Sequence, residues 1–179
     1  KSLNLENAGV EYDKKGITVD EYNRTFRENI FAIGDCNAKS FLSHAAMHQG
    51  MLSLMNALSP QPIDKLKRSN YLVPWSVFTK PEVAQLGMTE EKAKAAGIDY
   101  MVIKEEYGKY ARAAAEGHNK GFVKVITDMK GIIYGVTIVG EAGSEMIHEW
   151  TLAMQNKLTM FNIAMMQHSF PTLSLLNKR

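Results

Sequence analysis

Two short stretches hold the residues whose types and spacing could do chemistry. In the first, the apolar run Asn29-Ile30-Phe31-Ala32-Ile33 ends in Gly34-Asp35-Cys36. A buried strand reaches the edge of a sheet in this way, and it leaves a carboxylate at the rim that can accept hydrogen bonds from hydroxyl groups. Taken alone, a Gly-Asp pair after a strand is an ordinary turn. In the second stretch, Gln167-His168-Ser169-Phe170-Pro171-Thr172, the residue able to exchange a proton near neutral pH is His168.

Other chemistry is limited by what the 179 residues contain. Cys36 is the only cysteine, so neither an intrachain disulfide nor an intrachain redox pair can form, and a cysteine-rich metal site is ruled out. Cys36 is expected to be a small buried residue rather than a ligand. Eleven methionines offer soft thioethers, but Met146, Met154, Met165 and Met166 fall where helices need core and are expected to pack. No metal site is expected. Glycines are never spaced as Gly-x-Gly-x-x-Gly, the turn that cradles a dinucleotide.

The net charge of +2, with 22% charged residues of both signs, argues against nucleic acid or membrane as a partner. No apolar run approaches the roughly 20 residues that cross a bilayer, and Lys1-Ser2-Leu3-Asn4-Leu5-Glu6 lacks the plan of a signal peptide. A soluble, cytoplasmic protein is expected.

The elements that must position these residues fall into two groups. Glu11-Tyr12 and Ile17-Thr18-Val19 flank the turn Asp13-Lys14-Lys15-Gly16 as a small hairpin, and the strand ending at Gly34 follows. A helix capped by Ser43 then carries Ala45, Ala46, Met47, Met51, Leu54, Met55 and Leu58 and stops near Pro60. One hairpin, one strand and one helix cannot enclose a core, so residues 1–60 read as the tail of a larger domain. Residues 61–70 read as a linker whose Lys65, Lys67 and Arg68 are solvated.

Residues 71–179 read as self-sufficient. Strands are expected over Val73 to Phe78, Tyr100 to Tyr107, Gly121 to Thr127 and Ile132 to Val139, the last two joined by Asp128-Met129-Lys130-Gly131. Thr89 caps a helix that ends before Gly97. A long helix bears Met146, Ile147, Trp150, Met154 and Leu158 on one side, and a shorter one runs from Thr159 to Met166. The sum is an α+β domain, an antiparallel sheet with helices on one face.

The stretch Thr25-Phe26-Arg27-Glu28-Asn29-Ile30-Phe31-Ala32-Ile33-Gly34-Asp35-Cys36 closely resembles the second FAD fingerprint of the pyridine nucleotide–disulfide oxidoreductases, the family of glutathione reductase, dihydrolipoamide dehydrogenase and mercuric reductase. Val77-Phe78-Thr79-Lys80-Pro81-Glu82-Val83-Ala84-Gln85-Leu86-Gly87 resembles the opening of that family's dimerisation domain. Gly121-Phe122-Val123-Lys124, Gly135-Val136-Thr137-Ile138-Val139-Gly140 and Ser144-Glu145-Met146-Ile147-His148-Glu149 resemble its central hairpin and long helix.

The resemblance implies the C-terminal piece of an FAD-binding α/β domain followed by an FAD/NAD-linked reductase dimerisation domain, both parts of a longer enzyme. It implies FAD as cofactor and NAD(P)H as co-substrate. Asp35 would accept from the ribityl hydroxyls, Gly34 would let the backbone approach the flavin, and the helix start at Leu42, His44 and Ala45 would face the ring. It also implies a homodimer through residues 71–179.

The family's C-terminal segment reads His-Pro-Thr followed by a glutamate; the histidine enters the partner's active site as acid/base and the glutamate orients it. Here the histidine position is Phe170 and the glutamate position is Leu175. Phenylalanine cannot exchange a proton, so the expected electron acceptor is a small molecule or metal ion that needs no proton relay. A thiolate-bound metal ion, as in mercuric reductase, is one such acceptor. His168 is a weak candidate to take over the role. The other class of function is a self-association module without redox activity.

Overall fold

The computed structural model describes residues 3–61 and 63–179, and the chain divides into two compact units, Lys1–Tyr71 and Leu72–Arg179. The second unit is built on five antiparallel strands: β1 (Trp75–Val77), β2 (Glu82–Gly87), β3 (Met101–Glu106), β4 (Phe122–Thr127) and β5 (Ile133–Gly140). They lie in the order β1-β2-β5-β4-β3. Ala84 pairs with Ile138 and Leu86 with Val136, while Val123 and Val125 pair with the same two β5 residues from the other side. With a side-chain period of two, these six residues line one face of the sheet.

That face is covered by α4 (Gly143–Gln155), which buries Met146, Ile147, Trp150 and Ala153 against it. Ile163 of α5 (Met160–Met165) and Leu176 of the 3-10 turn Leu173–Lys178 complete the cluster. Each fully buried large side chain contributes about 1.5–3 kcal/mol, so the contact of α4 with the sheet dominates the stability of this unit. The α+β architecture is the one its hydrophobic periodicity predicts. The short α2 (Glu90–Ala95) is capped by Thr89, whose hydroxyl accepts from the Lys92 amide. Its Glu90 reaches the opposite sheet face to pair with Lys124 at 2.7 Å.

Two elements of this unit escape the sequence. β2 is not among the strands expected from the sequence, because Gln85 interrupts a run too short to alternate. In the sheet Gln85 is buried and satisfied, accepting from the Thr137 hydroxyl and donating to the carbonyls of Leu86 and Met88. The second, α3 (Ala111–Ala115), is a single turn seated on the buried Ala113. Met146 and Met154 pack as expected, but Met165 and Met166 are exposed, since α5 turns only Ile163 inward.

The first unit has α1 (Ser43–Leu58) as its one long helix. The hairpin forms through the Tyr12–Ile17 bridge. The expected strand before Gly34 has a single bridge, Arg24 to Phe31; without an adjacent strand in this unit it cannot build a ladder. The helix begins one residue earlier than the Ser43 cap predicts, with Leu42 as N-cap and no side-chain acceptor. Within the segment expected as a linker, Asp64–Leu66 and Arg68–Asn70 form 3-10 turns, and Arg68 is tied in rather than solvated. Arg68 donates to the Asp20 carbonyl, the Asn23 side chain and Glu21, and its own amide bonds the Glu21 carbonyl. No helix among the described residues is long and apolar enough to cross a membrane.

Glu82 connects β2 to α4. The N-cap of α4, Ala142, sits in the left-handed region and offers no side-chain cap, and the Glu82 carboxylate accepts from the Ser144 amide at 2.9 Å instead. A carboxylate at a helix N-terminus is favoured by the helix dipole as well as by the hydrogen bond. Replacing it, Glu82→Ala, is expected to cost about 1–2 kcal/mol, read as a lower denaturant midpoint of this unit.

Tyr107 has no exposed surface and donates to the Glu141 carbonyl at 2.9 Å. Burial first, then the charges of Glu82 and Glu141, hold its phenol well above the usual value. The folded state therefore keeps a proton that the unfolded chain loses above its ordinary pKa of about 10. The stabilisation is fully present below pH 10 and declines as the pH rises beyond it. Tyr107→Phe is expected to flatten that alkaline decline, measured by denaturation between pH 9 and 11.

Candidate flavin site and C-terminal arm

The turn that carries Asp35 is held from α1. Gln49, in the second turn of that helix, is buried, and its side-chain oxygen accepts from the Gly34 amide at 2.8 Å and from the Asn37 side chain at 2.9 Å. Asn37 also donates to the Ala32 carbonyl at 2.9 Å. One amide oxygen thus fixes both ends of the 3-10 turn Gly34–Asn37. A second buried pair runs parallel to it: Asn23, wholly buried, donates to the Ser53 hydroxyl at 3.2 Å. Polar groups removed from water must find partners, so this network specifies one register between turn and helix.

Gly34 is required here for two reasons. Its φ of +70° lies in the region that favours glycine, and a β-carbon would stand 3.0 Å from the Ala46 β-carbon. The close approach it permits is therefore first to α1. Asp35, the next residue, is exposed, and among the described residues its carboxylate has no hydrogen bond or ion pair. At the start of α1, Leu42 is half-buried, His44 exposed and Ala45 buried, and the first-turn amides receive no cap from the Leu42 side chain.

This arrangement fits a flavin. A free carboxylate on a fixed turn is the acceptor that ribityl hydroxyls need, and an uncapped helix start favours negative charge on a reduced ring. Asp35, Gly34 and the backbone near His44 and Ala45 are the residues that would hold it. Gln49 is the residue whose role sequence reasoning missed; the only signal is a glutamine on the side of α1 that carries the buried Ala45 and Leu52.

Cys36, expected to be buried, is exposed, with its thiol 3.1 Å from the Ile33 carbonyl. The turn rotates it outward while Asn37 takes the inward position. Among the described residues no three His, Cys, Asp or Glu side chains gather as a metal site.

At the other end of the chain the structure places Phe170 at 77% exposure and packs Leu175 against the core cluster. Neither exchanges a proton. His168, a weak candidate for the acid/base whose plainer reading is a surface or a satisfied histidine, is the satisfied kind, with a side chain only 3% accessible. Its Nε2 lies 2.9 Å from Glu149 of α4, and the other Glu149 oxygen accepts from Asn177 at 2.9 Å. A sequence separation of 19 residues hides this pair, although Glu149 borders the apolar stripe of α4.

Residues 73–178 match the family described as pyridine nucleotide-disulphide oxidoreductase, dimerisation domain, and residues 1–50 match the pyridine nucleotide-disulphide oxidoreductase family. Dihydrolipoyl dehydrogenases from Bacillus subtilis and Halobacterium salinarum are each 36% identical over 96% and 97% of the chain. The chain spans just over a third of these relatives, 36% of their length. Among solved structures, LpdA from Mycobacterium tuberculosis superposes with a TM-score of 0.87 at 29% identity, over 99% of this chain and 39% of that one. The HOCl-induced flavoprotein disulfide reductase RclA from Escherichia coli gives 0.87 at 25% identity, over 97% and 40%. With the dimerisation-domain match covering more than half of its residues and relatives 36% identical over nearly its whole length, this chain belongs to the pyridine nucleotide–disulfide oxidoreductase family.

Proposed function

We propose that the chain serves as the C-terminal portion of an FAD-dependent NAD(P)H oxidoreductase. In this reading residues 1–60 supply part of the flavin site, residues 61–70 connect, and residues 71–179 supply a homodimer interface. Family membership brings FAD and a pyridine nucleotide with it. The observation that carries the reading is Asp35, an unpaired, exposed carboxylate on a turn whose geometry Gln49 enforces. Asp35 is hydrated in this state and so makes no demand on the fold, while the fixed turn keeps it available to a ligand rich in hydroxyl groups.

The acceptor is narrowed by Phe170 and Leu175. The relatives named dihydrolipoyl dehydrogenase favour a lipoyl substrate, but dithiol chemistry needs a proton donor and acceptor at the reacting sulfur, and neither residue supplies one. Acceptors that take electrons without such a relay fit better: a metal ion, in the manner of mercuric reductase, or a quinone. RclA has been solved as a Cu(II) complex, which is in keeping with metal-ion chemistry on this scaffold.

The test is made on the full-length protein. It is expected to be yellow with bound FAD and to oxidise NADH or NADPH with Hg(II), Cu(II) or a quinone. Lipoamide should be slower by a factor on the order of 10² to 10⁴, the usual worth of a positioned acid/base. A clear preference for lipoamide would refute the reading of Phe170, and a colourless protein without NAD(P)H oxidation would leave only the self-association module. Asp35→Ala is expected to weaken FAD retention roughly tenfold to a hundredfold, from the loss of charge-assisted hydrogen bonds worth about 1.5–3 kcal/mol, measured by fluorescence of released flavin.

A further inference from the structure

Residues 168–177 form an arm whose two ends meet on one side chain. His168 donates through Nε2 to Oε1 of Glu149, and Asn177 donates through Nδ2 to Oε2 of the same carboxylate, both at 2.9 Å. The Asn177 amide also reaches the Met146 carbonyl at 3.4 Å, and Lys178 bonds the Met166 carbonyl at 2.9 Å just outside the arm. Glu149 is 17% accessible, so solvent competes little for its oxygens.

The tip of the arm is held far less. Ser169, Phe170 and Pro171 are exposed. The contacts near the tip are Thr172 to the Ser169 carbonyl at 2.8 Å and Arg112 to the Pro171 carbonyl at a long 3.5 Å. On the return, Leu173 and Leu175 pack on the core and Leu176 is buried. Ten residues with free ends could span up to about 30 Å. Here the ends are closed onto one carboxylate, and where Phe170 projects is set by that closure rather than by anything Phe170 itself touches.

We propose that Glu149 is a positioning residue, a clasp that joins His168 to Asn177 and thereby sets how the Phe170 tip is presented to the redox site of a partner subunit. The proposal rests on the oxidoreductase reading above, together with the resemblance that puts Phe170 at the position whose histidine enters the partner's active site. A carboxylate suits the task without any rearrangement of its partners. It offers two acceptor oxygens in one plane, one for each donor, whereas glutamine offers one acceptor and turns a second donor toward whichever partner remains. His168 is not itself the acid/base in this conformation, because its ring is buried against Glu149; it is the part of the clasp that carries the arm.

The variants Glu149→Gln and Asn177→Ala test this. Each removes one side of the clasp without emptying the core, and each can be made in the full-length FAD-loaded protein. Amide hydrogen exchange across 168–177 is expected to speed up on the order of tenfold or more, while β4 and β5 exchange as before. Steady-state assays use whichever of Hg(II), lipoamide or a quinone the wild-type protein turns over fastest. The KM for that acceptor should rise on the order of tenfold, as a displacement of well under an ångström would give where a full ångström can cost about a hundredfold. Stopped-flow reduction of the flavin by NADH or NADPH should stay within about twofold of wild type.

Unchanged exchange in both variants overturns the clasp, whatever the activity. Faster exchange with an unaltered acceptor KM overturns the positioning role. A uniform fall in both half-reactions, with lowered stability throughout, also counts against it, since that is the mark of a merely structural residue. If the wild-type protein reduces no acceptor, the oxidoreductase reading fails instead, and with it the role toward a partner, while the exchange measurement still decides whether the clasp exists.

Discussion

The first unit depends on a single amide oxygen. Gln49 accepts from the Gly34 amide and the Asn37 side chain together, and the turn bearing Asp35 exists in one conformation because of it. A hydrophobic residue at that place would leave the Gly34 amide buried without a partner, at a desolvation cost of about 1–3 kcal/mol, and Asn37 with only its bond to the Ala32 carbonyl. The unit holds few large apolar residues inside: Val10, Leu52 and Leu66 with two alanines, beside Asn23, Thr25, Asn37, Gln49, Ser53 and Asn56. Its specificity comes from directional bonds, which set register closely, rather than from the volume of a core, which does so loosely. A ligand contact at Asp35 needs that kind of closeness.

The second unit is organised by the opposite principle. Its sheet presents a continuous apolar face to α4, and two carboxylates beside that helix have defined tasks. Glu82 secures the start of α4, and Glu149, one residue before the buried Trp150, faces the C-terminal segment. The same helix thus serves the core along one stripe and fixes two other elements along its border. A half-buried carboxylate is tolerable at Glu149 because both oxygens have donors.

How much of this was legible in the sequence follows the same division. Periodicity found β3, β4, β5, α4 and α5, because each has one wet and one dry side. Thr89 and the Asp128–Gly131 connection announced themselves by turn and cap chemistry. It failed at β2, where Gln85 is buried by pairing rather than by hydrophobicity, and at Cys36, Met165 and Met166, where a residue type with an apolar habit lies outside. The Asp35 turn was found through the motif around it. Gln49, Glu149 and Asn177 were not, since a hydrogen bond across 12 to 28 positions leaves no local trace.

The helix α1 shows what this means for reading substitutions. Its inward residues are Ala45, Gln49, Leu52, Ser53 and Asn56, while Met47, Met51, Leu54, Met55 and Leu58 point to solvent. The side it turns inward in this unit is mostly polar: Gln49, Ser53 and Asn56 sit beside Ala45 and Leu52. Losing the serine or either amide would strip buried partners from their hydrogen bonds, a cost that hydropathy does not register. Ranking variants of this helix by hydropathy alone would overlook three of its five inward positions.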